Sequence, residues 1–107
     1  MTVAQFDPEN NKLHVLAKAQ RARNGAAEGA AVRDETGRTY VATTVDLPSL
    51  KLSALRTAIA MAVVSGAESL EAAVVVTEAG EFQPEDLAAV ADVKGGAMRL
   101  FLALPTL

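Results

Sequence analysis

The chain has 107 residues, half of them hydrophobic and 21% charged, a composition that suits one folded domain and excludes a disordered segment. With no cysteine and a single histidine, His14, it excludes disulfides, thiolate metal sites, a cysteine nucleophile and a multi-histidine metal site within one chain. A net charge of -3 argues against non-specific nucleic-acid binding. No apolar run approaches the roughly 18 residues of a membrane span, and Met1-Thr2-Val3-Ala4 lacks the basic start of a signal peptide. The expectation is one cytoplasmic domain over residues 1–107, with no metal and no cofactor.

Asp7-Pro8-Glu9 reads as a helix start, with Asp7 as N-cap and Pro8 in the first turn, and Asn24-Gly25 reads as its end. Lys12, Lys18, Arg21 and Arg23 make this first helix the most basic element, and His14 sits on it as a surface or half-buried imidazole. Gly29-Ala30-Ala31-Val32-Arg33-Asp34 and Arg38-Thr39-Tyr40-Val41-Ala42-Thr43-Thr44 flank a glycine turn and predict a hairpin, with Asp34-Glu35 as a solvated turn. Asp46 is expected to cap a turn before Leu47-Pro48. Ser49 then caps a second helix whose stripe is Leu52, Leu55, Ile59 and Val63, ended by Ser65-Gly66. Being apolar nearly all round, that helix is expected to be buried. Ala72 to Val76 is a continuous apolar strand of the kind covered on both faces. Gln83-Pro84 opens a third helix with Leu87, Val90 and Ala91 inward. After Gly95-Gly96, the run Arg99 to Leu104 is a fourth strand. The 22 alanines imply a core of small side chains. The order α-β-β-α-β-α-β predicts an α/β fold, a three-layer α-β-α sandwich with a mixed sheet.

Three separated motifs carry a resemblance. Glu28-Gly29-Ala30-Ala31-Val32, then Gly37-Arg38-Thr39-Tyr40, then Arg56-Thr57-Ala58-Ile59 followed by Ala62-Val63 and Gly66, resemble the strand, turn and helix motifs of the cytidine deaminase family. The resemblance spans residues 8 to 104 and implies strand order 2-1-3-4-5. The family's last strand and C-terminal helix have no counterpart before Leu107, so a fold truncated at the C-terminus is expected. The family hydrolyses an amine with a zinc-bound hydroxide, and a glutamate moves the proton. Here the resemblance places Ser53 at the first ligand position, Leu55 at the glutamate, and Glu85 and Ala88 at the two thiolates. Serine, glutamate and alanine do not make a useful zinc site, and leucine transfers no proton. Thr44 and Asp46 fall where the family holds the nucleoside sugar, in a shorter loop. The family's matching arginine balances the thiolates, so Arg56 is expected to pair in bidentate fashion with Glu85 or Asp86, with Leu55 filling the emptied pocket.

The expectation is therefore a non-catalytic relative, a binding or assembly module of unspecified ligand that is leaning away from being an enzyme. Family members are dimers or tetramers. A homo-oligomer is expected here through the apolar fourth strand or the adjoining faces of the second and third helices, and a protein partner is compatible with this. Two alternatives stand beside it. One is an RNA- or ribosome-associated factor using the basic first helix. The other is a hydrolase of different chemistry in the old cleft, with Ser53 as nucleophile.

Overall fold

The computed structural model describes residues 6–93 and 98–106. Helix α1 (Pro8–Asn24) begins where the local sequence predicts it. Asp7 is extended and its side chain accepts the Asn10 N–H at 2.8 Å, and Gly25 closes the last turn in the left-handed region at φ 59°. Strands β1 (Gly29–Asp34) and β2 (Thr39–Thr43) form the hairpin, followed by two short strands, β3 (Val45–Leu47) and β4 (Leu50–Leu52). Helix α2 (Ala54–Val64), strand β5 (Leu70–Val76), helix α3 (Pro84–Asp92) and strand β6 (Arg99–Ala103) complete the order.

The main sheet runs β2-β1-β5-β6. β1 is antiparallel to both neighbours, and β5 and β6 are parallel, so the sheet is mixed. Alternation along β1 and β5 sends side chains to two cores. Ala30, Val32, Ala73 and Val75 pack with Leu55, Ala58, Ile59 and Ala62 of α2. Ala31, Ala72, Val74 and Val76 pack with Leu13 and Ala17 of α1. The α/β three-layer reading holds, and with the two short strands set aside the order β2-β1-β5-β6 matches the first four places of the expected 2-1-3-4-5. Gly29 is where α1 comes closest: a Cβ there would lie 2.2 Å from the Ala17 carbonyl oxygen.

Several expectations change. The second helix starts at Ala54 with Ser53 as its cap, four residues beyond the expected cap Ser49, because Val45 to Leu52 pair as a second hairpin. Leu52 therefore belongs to a strand and not to the helical stripe. Helix α2 is half exposed: Val63 is 55% and Val64 85% accessible. On α3, Val90 turns toward the core as expected, but Leu87 and Ala91 face outward and Ala89 and Val93 turn inward in their place. Asp34 is buried, not solvated. It accepts hydrogen bonds from Thr36 N–H, Thr36 Oγ1, Arg38 N–H and the Tyr40 hydroxyl. Burial would raise its pKa, but those four donors outweigh it and hold the carboxyl below its usual range. His14 is likewise buried, stacked on Phe6 with ring centroids 5.2 Å apart. Gly95 and Gly96 lie outside the described residues.

Candidate functional site

An open cleft of about 460 Å³ lies where α2 begins. The β3–β4 hairpin gives one wall through Val45, Asp46, Lys51 and Leu52. The segments after α1 and β5 give the others, with Glu28 and Thr77 to Ala79. Ser53 and Arg56 stand at its base, and Gln83 borders it.

Ser53 is the N-cap of α2, extended at φ -67° and ψ 161°, with its hydroxyl accepting the Arg56 N–H at 3.1 Å. The same hydroxyl donates to Asp86 Oδ1 at 2.6 Å, and Arg56 Nε–H reaches both Ser53 Oγ (3.2 Å) and Asp86 Oδ1 (3.1 Å). Asp86 is buried in the first turn of α3, where the helix N-terminus favours a carboxylate. This buried knot of serine, arginine and aspartate joins the starts of two helices that are 33 residues apart in sequence.

The expected partner for Arg56 was Glu85 or Asp86, and Asp86 is the one. The bond is single, through Nε, rather than bidentate. Glu85 and Ala88 are exposed on α3 and neither bonds to Ser53 or Arg56, so the knot is not built from the positions assigned to the two thiolates. A one-residue step is about 100° around a helix, which is enough to turn Glu85 out and Asp86 in. Leu55 is fully buried in the core beneath α2. Sequence spacing left Glu85 and Asp86 undecided, although a signal existed. Glu85, Ala88 and Asp92 form a row with charge at both ends, whereas Asp86, Ala89, Val90 and Val93 form the apolar row.

Thr44 and Asp46 do border the cleft, but both are engaged. Thr44 Oγ1 accepts the Glu28 N–H at 3.0 Å, closing the gap between β1 and the segment after β2. Asp46 pairs with Lys51 at 2.6 Å directly across the hairpin. The Lys51 ammonium lowers the Asp46 pKa, and both side chains stand in solvent.

A sequence model described as cytidine deaminase-like matches residues 6–106. No curated protein is similar enough in sequence to count as a relative. Among solved structures, cytidine deaminase from Mycobacterium leprae is similar at 22% identity and TM-score 0.74, covering 88% of this chain and 87% of that one. A point mutant of the cytidine deaminase from Mycobacterium tuberculosis superposes at 20% identity and TM-score 0.73, covering 88% and 85%. Cytidine deaminase from Burkholderia pseudomallei gives 24% identity and TM-score 0.63 over 78% and 76%.

Proposed function

Because the chain belongs to the cytidine deaminase-like family, we propose that it is a member that has given up zinc chemistry and works as a non-catalytic binding or assembly module. The observation that carries this is the Ser53–Arg56–Asp86 knot. A zinc site needs deprotonated nitrogen or sulfur donors aimed at one point, with nearby groups that tolerate a dication. Here the Arg56 guanidinium lies beside Ser53, and the two oxygens next to it, Ser53 Oγ and Asp86 Oδ1, are bonded to each other. Among the described residues no group of three or more His, Cys, Asp or Glu could hold a metal. The donor set does not fit zinc, and Leu55 offers no proton.

The hydrolase alternative is disfavoured by the same knot. A hydroxyl has one proton and two lone pairs. The Ser53 proton goes to Asp86, and both lone pairs receive Arg56 donors, so none is left free to attack a substrate. No described helix is long and apolar enough to cross a membrane. Self-association belongs to the same reading, with β6 or the adjoining faces of α2 and α3 in the contact. Exposed Met61, Val63, Val64 and Leu87 favour it.

The test is metal content together with turnover. Protein purified without chelators should carry far less than one zinc per chain by elemental analysis and should release no uridine from cytidine. One tightly held zinc per chain, or measurable deamination, would overturn the proposal.

A further inference from the structure

Charge is unevenly distributed along this chain. Helix α1 carries Lys12, Lys18, Arg21 and Arg23 against one acid, Glu9, whereas residues 57–93 carry seven carboxylates and no lysine, arginine or histidine. Because α1 and the α2–α3 pair cover opposite faces of the sheet, α1 gives one face exposed cations and the α2–α3 face exposed carboxylates at Glu68, Glu85 and Asp92, whereas Glu71 pairs with Arg33 beside α1 and Asp86 is buried with Arg56. Each side also presents apolar surface. On α1, exposed Lys12, Val15, Leu16, Ala19 and Arg23 fall three or four residues apart, forming one outward stripe with cations at both ends. On the other side, a groove of about 630 Å³ between α2 and α3 is lined by Ile59, Val63, Ala89 and Val93 and by the carboxylates of Glu68 and Asp92. Among the described residues none of these four end charges is in an ion pair.

We propose that the α1 stripe of one copy seats in the α2–α3 groove of a second copy, so that this chain self-associates head to tail. Charge selects this arrangement over the symmetric ones. Two α1 stripes packed together would oppose Lys12 and Arg23 to their own kind, and two grooves would oppose Glu68 and Asp92. Stripe against groove matches Val15 and Leu16 to the apolar lining and places cations beside both carboxylates. One copy cannot satisfy itself, because the two surfaces lie on opposite sides of the sheet. A contact between unlike surfaces closes into a ring or grows into a chain, depending on its rotation. The inference rests on the self-association part of the proposed function and specifies its geometry.

Complementary single-face variants provide the test. Leu16→Glu spoils the stripe and leaves the groove intact. Val63→Lys spoils the groove and leaves the stripe. Both positions are exposed, so circular dichroism and thermal melts should match wild type. By light scattering at micromolar concentration and low salt, wild type should exceed the 11.1 kDa of one chain. It should weaken at least tenfold by about 0.5 M salt, where screening reaches within a few ångströms. Each variant alone should be a monomer, and an equimolar mixture should give a particle of about two chains that grows no further, since each variant retains one working face. A wild-type oligomer indifferent to salt, or a mixture that stays monomeric, overturns the head-to-tail contact while leaving self-association standing. A wild type that stays monomeric throughout overturns both.

Discussion

Removing the Asp86 carboxylate should be among the most costly single changes at this site, and removing its neighbour Glu85 should cost little. In Asp86→Ala the Ser53 hydroxyl loses its acceptor at 2.6 Å and Arg56 loses its counter-charge at 3.1 Å. A hydrogen bond to a charged group contributes about 1.5–3 kcal/mol, and a stranded buried donor costs about 1 kcal/mol more. Breaking a buried ion pair can cost about 3–5 kcal/mol. Arg56, however, keeps 30% of its side chain accessible and can recover water, which places the total near the lower end, about 3 kcal/mol. For a domain of this size that lowers Tm by roughly 12 °C or more. Urea titration and calorimetry of Asp86→Ala, Asp86→Asn and Glu85→Ala provide the series. The asparagine keeps an acceptor for Ser53 but no charge, so it should fall between wild type and alanine. Glu85→Ala should stay within ~0.5 kcal/mol of wild type, as exposed positions do. If Glu85→Ala costs as much as Asp86→Ala, or if Asp86→Ala costs less than ~0.5 kcal/mol, the knot does not hold the two helix starts together.

Leu55→Ala should destabilise by about 3 kcal/mol through the cavity it leaves under α2, read by the same titration; a near-neutral result would mean the core collapses around the gap. His14 should make the fold acid-sensitive. Burial first, and the Lys18 charge second, lower its pKa below the usual 6.5, so the unfolded chain takes up the proton more readily. Stability is then full above about pH 6.5 and is lost as pH falls toward the lower folded value. His14→Leu should flatten the stability curve between pH 7.5 and 5, a window above the range where Asp34 loses its own contribution. A wild-type curve already flat there would place the imidazole in contact with water.

The parts of the fold legible in the sequence were those set by local chemistry. Asp7-Pro8 and Gly25 fix the ends of α1 because a cap and a left-handed residue act within a few positions. The short, valine-rich apolar run Ala72 to Val76 reads as a strand covered on both faces, and β5 is one. The β3–β4 hairpin is not legible because Leu47-Pro48-Ser49-Leu50 also satisfies the rules for a helix start, and Ser49 and Ser53 are equally good caps on paper. What separates them is tertiary: Ser53 alone meets Asp86, from 33 residues away. The outward side of α2 is hidden for a related reason. Alanine and valine suit both a core and an uncovered face, so periodicity there does not distinguish Ile59, which is buried, from Val63, which is not.

The same economy explains why the base of the cleft is fixed in one arrangement. Ser53 uses its proton and both lone pairs, and Asp86 Oδ1 accepts from both Ser53 and Arg56. Rotating any one of the three side chains breaks at least two bonds, so they act as one unit. Arg56 also sits in the first turn of α2, where the positive end of the helix dipole disfavours a cation. Asp86 offsets that cost, and its own position at the start of α3 is one that favours a carboxylate. The ion pair therefore settles the charge at two helix starts at once. That accounts for an aspartate only 4% exposed at the start of α3. At the rim the opposite holds, since Asp46 and Lys51 cancel each other in open solvent and contribute little to stability. Glu28 and Glu78 have no ion pair among the described residues. A small molecule entering the cleft would therefore meet free carboxylates at its mouth and a closed polar knot at its base.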